Sequence, residues 1–174
     1  ELLRALLRHR VPSAGITLND PEAVAALRDA EPGATVTLPL GGVGWRGDAG
    51  PVTLPVTLLS RSDGNFTLED RHSHLVAMGG VGIRMGDTAV VRHAGLTILL
   101  TSRKTPPFDL GQWRSQGVEP REFGIIAVKA AVAHRRAYDP ITAASFTVAT
   151  RGPCASDLSL IPFRRLRPGV LGPG

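Results

Sequence analysis

The chain contains one pair of histidines at a spacing that suits a metal ion. His72 and His74 are separated by a single residue and follow Asp70. On a β-strand, residues two apart face the same side of the sheet, so both imidazoles could reach one zinc ion. No third ligand sits at a recognisable spacing, although the distant His93 and His134 could approach in space. We therefore favour a polar turn here and predict no metal site within this chain.

Basic and aromatic residues that could bind an anion follow two predicted strands. Arg103 and Lys104 follow the strand at 96–100, and a second group follows the strand at 124–129. Residues 129–138 begin with small residues, which permit close backbone approach, and then group His, Arg and Tyr side chains. Loops at the carboxyl ends of strands are where α/β proteins place ligand-binding groups. Arginine and lysine suit carboxylates and phosphates, and histidine can stabilise an oxyanion or transfer a proton. The alternative is a structural turn with a solvated basic face. The predicted substrate-binding residues are Arg103, Lys104, Lys129, His134, Arg136 and Tyr138.

Other motifs lack a partner that their chemistry requires. Residues 42–47, GVGWRG, match G-x-G-x-x-G, but no helix can open after them, so a pyrophosphate would find no helix N-terminus. Cys154 is the only cysteine, which excludes an intramolecular disulfide, and no activating pattern surrounds it. Asp109 is interpreted as the N-cap of a following helix. We predict no catalytic residue within this chain.

The composition is that of one globular domain. The chain has 174 residues, of which 43% are apolar, and no apolar run approaches the roughly 20 residues that span a bilayer. The net charge is +5, but the arginines are scattered apart from a cluster at Arg164, Arg165 and Arg167, which disfavours nucleic-acid binding. The charged opening shows no signal peptide, and a single cysteine fits a cytoplasmic location.

The patterning predicts an α+β fold: a mixed, sheet-rich single domain with short flanking helices. Strands are predicted at 35–38, 52–58, 66–68 after a hairpin turn, 88–92, 96–100, 124–129 and 145–149, the sixth of them buried. Helices are predicted at 2–10, 21–30 and 109–116, and from residue 139. Residues 1–150 form the predicted core of the domain, and residues 151–174, rich in Pro, Gly and Arg, form an irregular tail.

Several longer segments, taken together, are similar to one known family, and the match runs in order over nearly the whole chain. They are ITLNDPEAVAAL, LPLGG, SDGNFTLED, SHLVAMGGVGIRMG, TILLTSRKTPPFDLGQWRSQG, IIAVKAAVAHRRAYDPI and LSLIPFRRLRP. These segments resemble the C-terminal domain of MlrC-like proteins, the microcystin-degrading family. Characterised relatives are zinc-dependent hydrolases that cut linear peptides, including the opened toxin.

The resemblance implies that this chain is part of a larger enzyme, called the parent below. In that family the zinc ligands and the catalytic acid belong to a preceding N-terminal domain. We therefore expect zinc in the parent, none in this chain, and no activity of this chain alone. The expected partners are the N-terminal domain and a peptide-like substrate, whereas nucleic acid and membranes are not expected and homo-oligomer formation stays open. A large exposed apolar patch is expected where the N-terminal domain docks, and helix 2–10 is a candidate for part of it.

Two other functions are left open by the residues themselves. The first is a free-standing hydrolase that uses His72, His74 and a further ligand to bind its metal. The second is a basic module that binds anions or nucleic acid through the arginine-rich C-terminal segment.

Overall fold

Residues 1–42 and 50–150 are described by the computed structural model, except for the side chains of His74 and Met78, and they fold around a six-stranded mixed sheet. The strands are β1 (Ala14–Asn19), β2 (Thr35–Leu40), β3 (Val52–Ser62), β4 (Asn65–Thr67), β5 (Gly82–Arg84), β6 (Thr88–His93), β7 (Leu96–Thr101) and β8 (Ile125–Ala127). The order in the large sheet is β2-β3-β6-β7-β1-β8, while β4 and β5 pair separately. Strand β1 is parallel to both of its neighbours, and the other adjacent pairs are antiparallel. The predicted α+β, sheet-rich class is confirmed.

The helices are short and flank the sheet. They are α1 (Leu2–Arg8), α2 (Pro21–Ala26), α3 (His74–Gly79), α4 (Gly111–Arg114) and α5 (Arg135–Tyr138), with 3-10 turns at Pro120–Glu122 and Asp139–Ile141. The start of α2 follows the prediction, because Asp20 accepts a hydrogen bond from the Ala23 N–H at 3.1 Å and Pro21 occupies the first turn. In the part of the chain that the structure describes, no helix is long and apolar enough to cross a bilayer.

Two apolar clusters cover opposite faces of the sheet, as the alternation of side chains along a strand requires. On β7, Ile98 and Leu100 belong to the larger cluster, whereas Leu99 belongs to the smaller one. The larger cluster includes Leu3 and Leu6 of α1, each only 6% exposed. These two side chains of α1 therefore pack within the domain, and the expectation that this helix forms an exposed apolar patch is wrong for them. The smaller cluster consists of Met85, Val90, Leu99 and Trp113.

The C-terminal part of the described chain differs most from the predicted strands. The strand predicted as buried at 124–129 is reduced to β8, which pairs only with β1 among the described residues and leaves Ile125 45% exposed. An edge strand has one neighbour, so its apolar side chains are covered less than those of a central strand. The strand predicted at 145–149 is absent: its backbone joins no described sheet, and Phe146 is 85% exposed.

The predicted turn at residues 62–65 forms, with Gly64 at φ +65°, but the hairpin does not. Strand β4 pairs with β5 instead of β3, because β3 already has β2 on one side and β6 on the other. Strands β1 and β5 and helices α3 and α5 are absent from the prediction, and only a 3-10 turn, Asp139–Ile141, forms where a helix is predicted from residue 139. The motif at 42–47 from its second residue onward, Cys154, the arginine cluster and the tail 151–174 lie outside the described residues.

Gly15, on strand β1 next to the edge strand β8, makes room for an aromatic ring. A Cβ atom at Gly15 would lie 2.4 Å from Cε2 of Phe123, whose ring packs edge-on against Trp113 with centroids 5.3 Å apart. We expect Gly15→Ala to lower the free energy of unfolding by about 1–3 kcal/mol, measured by urea titration with circular dichroism. Gly82→Ala is the matched control, since Gly82 also lies in a strand and a Cβ there has nothing within 4 Å. If Gly15→Ala lowers the free energy of unfolding no more than Gly82→Ala does, the Phe123 ring moves aside without loss of stability.

Candidate substrate-binding site

The loops after three parallel strands leave the sheet at the same edge. Strands β1, β7 and β8 run in one direction and end at Asn19, Thr101 and Ala127. The Asn19 side-chain amide donates to the Thr101 carbonyl at 2.9 Å, which ties the ends of β1 and β7 together. Neighbouring strands are about 4.8 Å apart, so the loops after β7 and β8 begin on one side of the domain.

The loop after β7 has a fixed backbone and exposed cationic side chains. The Arg103 N–H donates to the Met85 carbonyl at 2.8 Å, and the Arg103 carbonyl accepts from the Thr101 hydroxyl at 3.0 Å. The Arg103 side chain passes over Gly86, where a Cβ would lie only 3.0 Å from its Cγ. Arg103 and Lys104 are both exposed, and their charged groups make no ion pair with the described residues.

The loop after β8 leads to α5, and the polar groups of its inner side are buried. His134 precedes the helix and Tyr138 ends it, so the two side chains lie one turn apart, with ring centroids separated by 6.4 Å. The His134 Nδ1 and the Tyr138 hydroxyl are both buried without a hydrogen-bond partner among the described residues. Burial raises the pKa of Tyr138, and the nearby Trp113 opposes this shift without reaching hydrogen-bonding geometry. The hydroxyl therefore stays protonated and can donate a hydrogen bond.

A buried carboxylate positions the segment that faces α5. Asp109 is 1% exposed and accepts hydrogen bonds from the N–H groups of Glu69 at 3.1 Å, Asp70 at 3.0 Å and Gly111 at 2.8 Å. The bond to Gly111 holds the start of α4, but the N-cap residue of this helix is Leu110, so the interpretation of Asp109 as the N-cap is wrong, and α4 begins two residues later than the predicted helix. The other two bonds join Asp109 to residues 40 and 39 positions earlier in the chain.

Three ion pairs reinforce this arrangement. Asp70 pairs with Arg136 on α5. Desolvation opposes ionisation of Asp70, but the His72 N–H and the Arg136 guanidinium hold its pKa below the usual value. Arg114 pairs with Glu69 at 2.6 Å and with Glu119 at 2.8 Å. The segment at 69–70 is thus connected to both α4 and α5.

An open cleft of about 350 Å³ lies between this segment and α5. Its residues combine charged groups with apolar walls. They are Asp70, His72, Ser73, Phe108, Val132, Ala133, Arg135 and Arg136. The cleft can therefore hold a small polar group and an apolar group next to each other.

Comparison with known proteins identifies the domain. The family described as MlrC C-terminus matches residues 1–165. The chain belongs to this family. Its fold is also similar to part of the crystal structure of a candidate metallopeptidase from Mesorhizobium sp. BNC1, with a TM-score of 0.79 and 25% sequence identity. The similarity covers 96% of this chain and 33% of that chain, so this chain spans about a third of that protein's length. No curated protein matches the chain.

This member of the MlrC C-terminus family brings three of its six predicted substrate-binding residues together. His134, Arg136 and Tyr138 share α5 and its first turn, but only Arg136 lines the cleft. The remaining three, Arg103, Lys104 and Lys129, lie in exposed positions on the loops after β7 and β8 and do not line it. Whether any of the six contacts substrate stays a prediction.

Several cleft residues were not predicted as substrate-binding. Asp70 entered the prediction only as a neighbour of the two histidines, and Phe108, Val132 and Arg135 were not assigned a role. The adjacent arginines at 135 and 136 are the sequence feature that could have indicated the cleft. If a carboxylate pairs with one of two adjacent arginines, the other keeps its charge available for a ligand.

The two histidines of the predicted metal alternative do not share a strand. His72 lies in a turn, and His74 is the first residue of α3, so the geometry on which that alternative rests is absent. His93 lies in β6, where its Nδ1 is 2.7 Å from the Pro55 carbonyl oxygen. Among the side chains that the structure describes, which do not include that of His74, no three His, Cys, Asp or Glu residues form a group that could hold a metal ion.

Proposed function

We propose that this chain is the C-terminal domain of a zinc-dependent peptidase-type hydrolase whose zinc ligands and catalytic acid lie in a preceding domain. The observation that carries the proposal is the similarity of nearly this whole chain to one third of a candidate metallopeptidase. The family membership of residues 1–165 supports the same assignment. The part that we propose for this chain is to complete and line a substrate cleft at the interface with that preceding domain.

Linear peptides are the substrate class that we propose. The loops after β7 and β8 carry Arg103, Lys104 and Lys129 on one side of the sheet, where their exposed charges can attract carboxylates of a peptide. Substrate pockets are common at domain interfaces. The opened microcystin toxin, which characterised members of the family cut, belongs among the peptides to be tried.

Exposed apolar side chains support a docking surface for the preceding domain. Ile125 on the edge strand β8 is 45% exposed, and Phe146 and Val148 in the unpaired segment 145–149 are 85% and 60% exposed. Large exposed apolar groups and an unpaired strand edge are features of interaction surfaces. Because about two thirds of the similar metallopeptidase lies outside the matched part, we propose that the corresponding part of the parent covers these residues.

The proposal predicts a difference in zinc content between the parent and this chain. After chelator treatment, addition of zinc and gel filtration, the parent is expected to retain about one zinc ion per chain and to hydrolyse linear peptides. The 174-residue chain is expected to do neither. Elemental mass spectrometry measures the metal, and mass spectrometry of the peptides measures cleavage. In the parent, Phe146→Asp is expected to lower hydrolysis about tenfold or more, because a charge would enter the domain interface.

Two controls accompany this experiment. Thr147→Asp, which adds the same charge at the adjacent position but replaces a polar side chain and not an apolar one, is expected to have a much smaller effect on hydrolysis. His72→Ala/His74→Ala is expected to leave the zinc content of the parent unchanged. One zinc ion held tightly by the isolated chain, and lost in that double variant, would overturn the proposal and make this chain a metal-binding unit by itself.

A further inference from the structure

We infer that the cleft between residues 70–73 and α5 is a subsite for the terminal carboxylate of a peptide whose last side chain is apolar. The inference rests on the proposed function for its substrate class. It concerns residues of the cleft that the sequence does not assign, above all Arg135.

The cleft is lined by two arginines and one carboxylate. Of its two arginines, Arg136 is paired with Asp70. Arg135 is exposed, and its side chain makes no hydrogen bond or ion pair with the described residues. The planar guanidinium of an arginine presents parallel N–H donors that match a carboxylate. The cleft is thus complementary to a ligand that has a single negative charge.

The walls beside Arg135 are apolar. Phe108, Val132 and Ala133 line the same cleft, and Val132 is 69% exposed. A ligand that covers this aliphatic side chain gains binding free energy, since removing apolar surface from water is favourable. A volume of about 350 Å³ lies near the lower end of the roughly 300–1,000 Å³ typical of small-molecule sites. This suits one terminal residue with an apolar side chain rather than a bare inorganic anion.

The two sides of the cleft are held in place before a ligand arrives. The Asp109 carboxylate fixes the backbone at residues 69 and 70, and the Asp70–Arg136 ion pair joins that segment to α5. At the end of α5, the Tyr138 side chain is only 2% exposed and anchors the helix to the domain. Preorganisation of this kind lowers the entropic cost of ordering side chains on binding.

Binding to the ¹⁵N-labelled chain can be followed by nuclear magnetic resonance with three small probes. N-acetyl-leucine supplies an α-carboxylate and an apolar side chain, N-acetyl-leucinamide lacks the charge, and the α-amide of N-acetylglutamate carries its charge on a side chain. We expect N-acetyl-leucine to shift the amide signals of residues 72–73 and 132–136, and to bind about tenfold more tightly than N-acetyl-leucinamide. Arg135→Gln is expected to abolish this difference. Arg28→Gln, at an exposed arginine just beyond α2, is the matched control and should preserve it.

Three results would overturn the inference. Equal affinity for N-acetyl-leucine and its amide would show that charge is not recognised. Tighter binding of the glutamate derivative would show a site for an acidic side chain, such as one from a neighbouring domain. Competition by sulfate at the same concentration as N-acetyl-leucine would show a simple anion site. The measurement uses this chain alone, so it does not depend on whether the parent binds zinc or cleaves peptides.

Discussion

Asp109→Asn is expected to lower the free energy of unfolding by about 2–4 kcal/mol. The Asp109 carboxylate accepts three backbone N–H groups, two through Oδ1 and one through Oδ2. If the amide oxygen of an asparagine replaces Oδ1, its NH₂ group faces the Asp70 N–H, and two donors then meet without an acceptor. Hydrogen bonds to a charged acceptor contribute about 1.5–3 kcal/mol each, and a buried donor left unsatisfied costs about 1–3 kcal/mol. Urea titration at neutral pH measures the difference.

Asp139→Asn serves as the control for this substitution. Asp139 is exposed and its side chain accepts no hydrogen bond from the described residues, so the same chemical change there should alter the free energy of unfolding by less than about 0.5 kcal/mol. Similar small effects at both positions would contradict the structural role that we assign to Asp109. Because Asp109 also orients the segment that contains Asp70, its loss should in addition weaken binding of N-acetyl-leucine to the cleft.

Trp113→Ala is expected to cost about 3–5 kcal/mol of stability, the range for removing a large buried aromatic side chain. Trp113 is 1% exposed, packs with Met85, Val90 and Leu99, and contacts the edge of Phe123. It is the main bulk of the smaller apolar cluster, so its removal leaves a cavity that neighbouring side chains cannot fill without moving the sheet. Thermal and urea unfolding, followed by far-ultraviolet circular dichroism, measure the loss.

Trp113→Phe separates the effect of the ring from that of the cavity. Phenylalanine retains an aromatic contact with Phe123 and fills part of the volume, so we expect a loss clearly smaller than that of alanine. A loss below about 1 kcal/mol for Trp113→Ala would contradict the packing described for this face of the sheet.

The elements that the sequence predicts well are those specified by local contacts. The β6–β7 hairpin was predicted from alternating residues on either side of Ala94-Gly95, and its two strands pair directly across that turn. The start of α2 was predicted from Asp20 and Pro21, which act within one turn of each other. In both cases the residues that determine the structure are close neighbours in the chain.

Strand β1 shows why other elements are missed. It lies between two parallel partners, and Ala14, Gly15 and Ile16 are all buried. A strand that is covered on both faces shows no alternation of apolar and polar residues. Gly15, which normally weakens a strand prediction, is present because the Phe123 ring occupies the space of a side chain. That reason lies in a contact with a residue far along the chain and cannot be read from local sequence.

The same limit applies to the candidate site. The cationic segment that contains His134, Arg136 and Tyr138 could be recognised as a unit because its residues are adjacent. The cleft depends on Asp70 meeting Arg136 across 66 positions, and on Asp109 holding the segment that contains Asp70. Neither contact can be recognised from neighbouring residues. The sequence therefore predicts the charged side chains of this segment but not which of them is paired with a carboxylate.

The position of β1 in the sheet has a consequence for biosynthesis. Asn19 at the end of β1 is joined to Thr101, which lies 82 residues later, and the other neighbour of β1 is β8, later still. The β2–β3 and β6–β7 pairs can form soon after they leave the ribosome, because their partners are close in sequence. Strand β1 is translated before all of them, yet it can enter the sheet only after β7 has emerged. During this interval the apolar side chains of β1 are not yet buried in the sheet. We therefore expect a chaperone that recognises short apolar stretches to bind the nascent segment around residues 14–19.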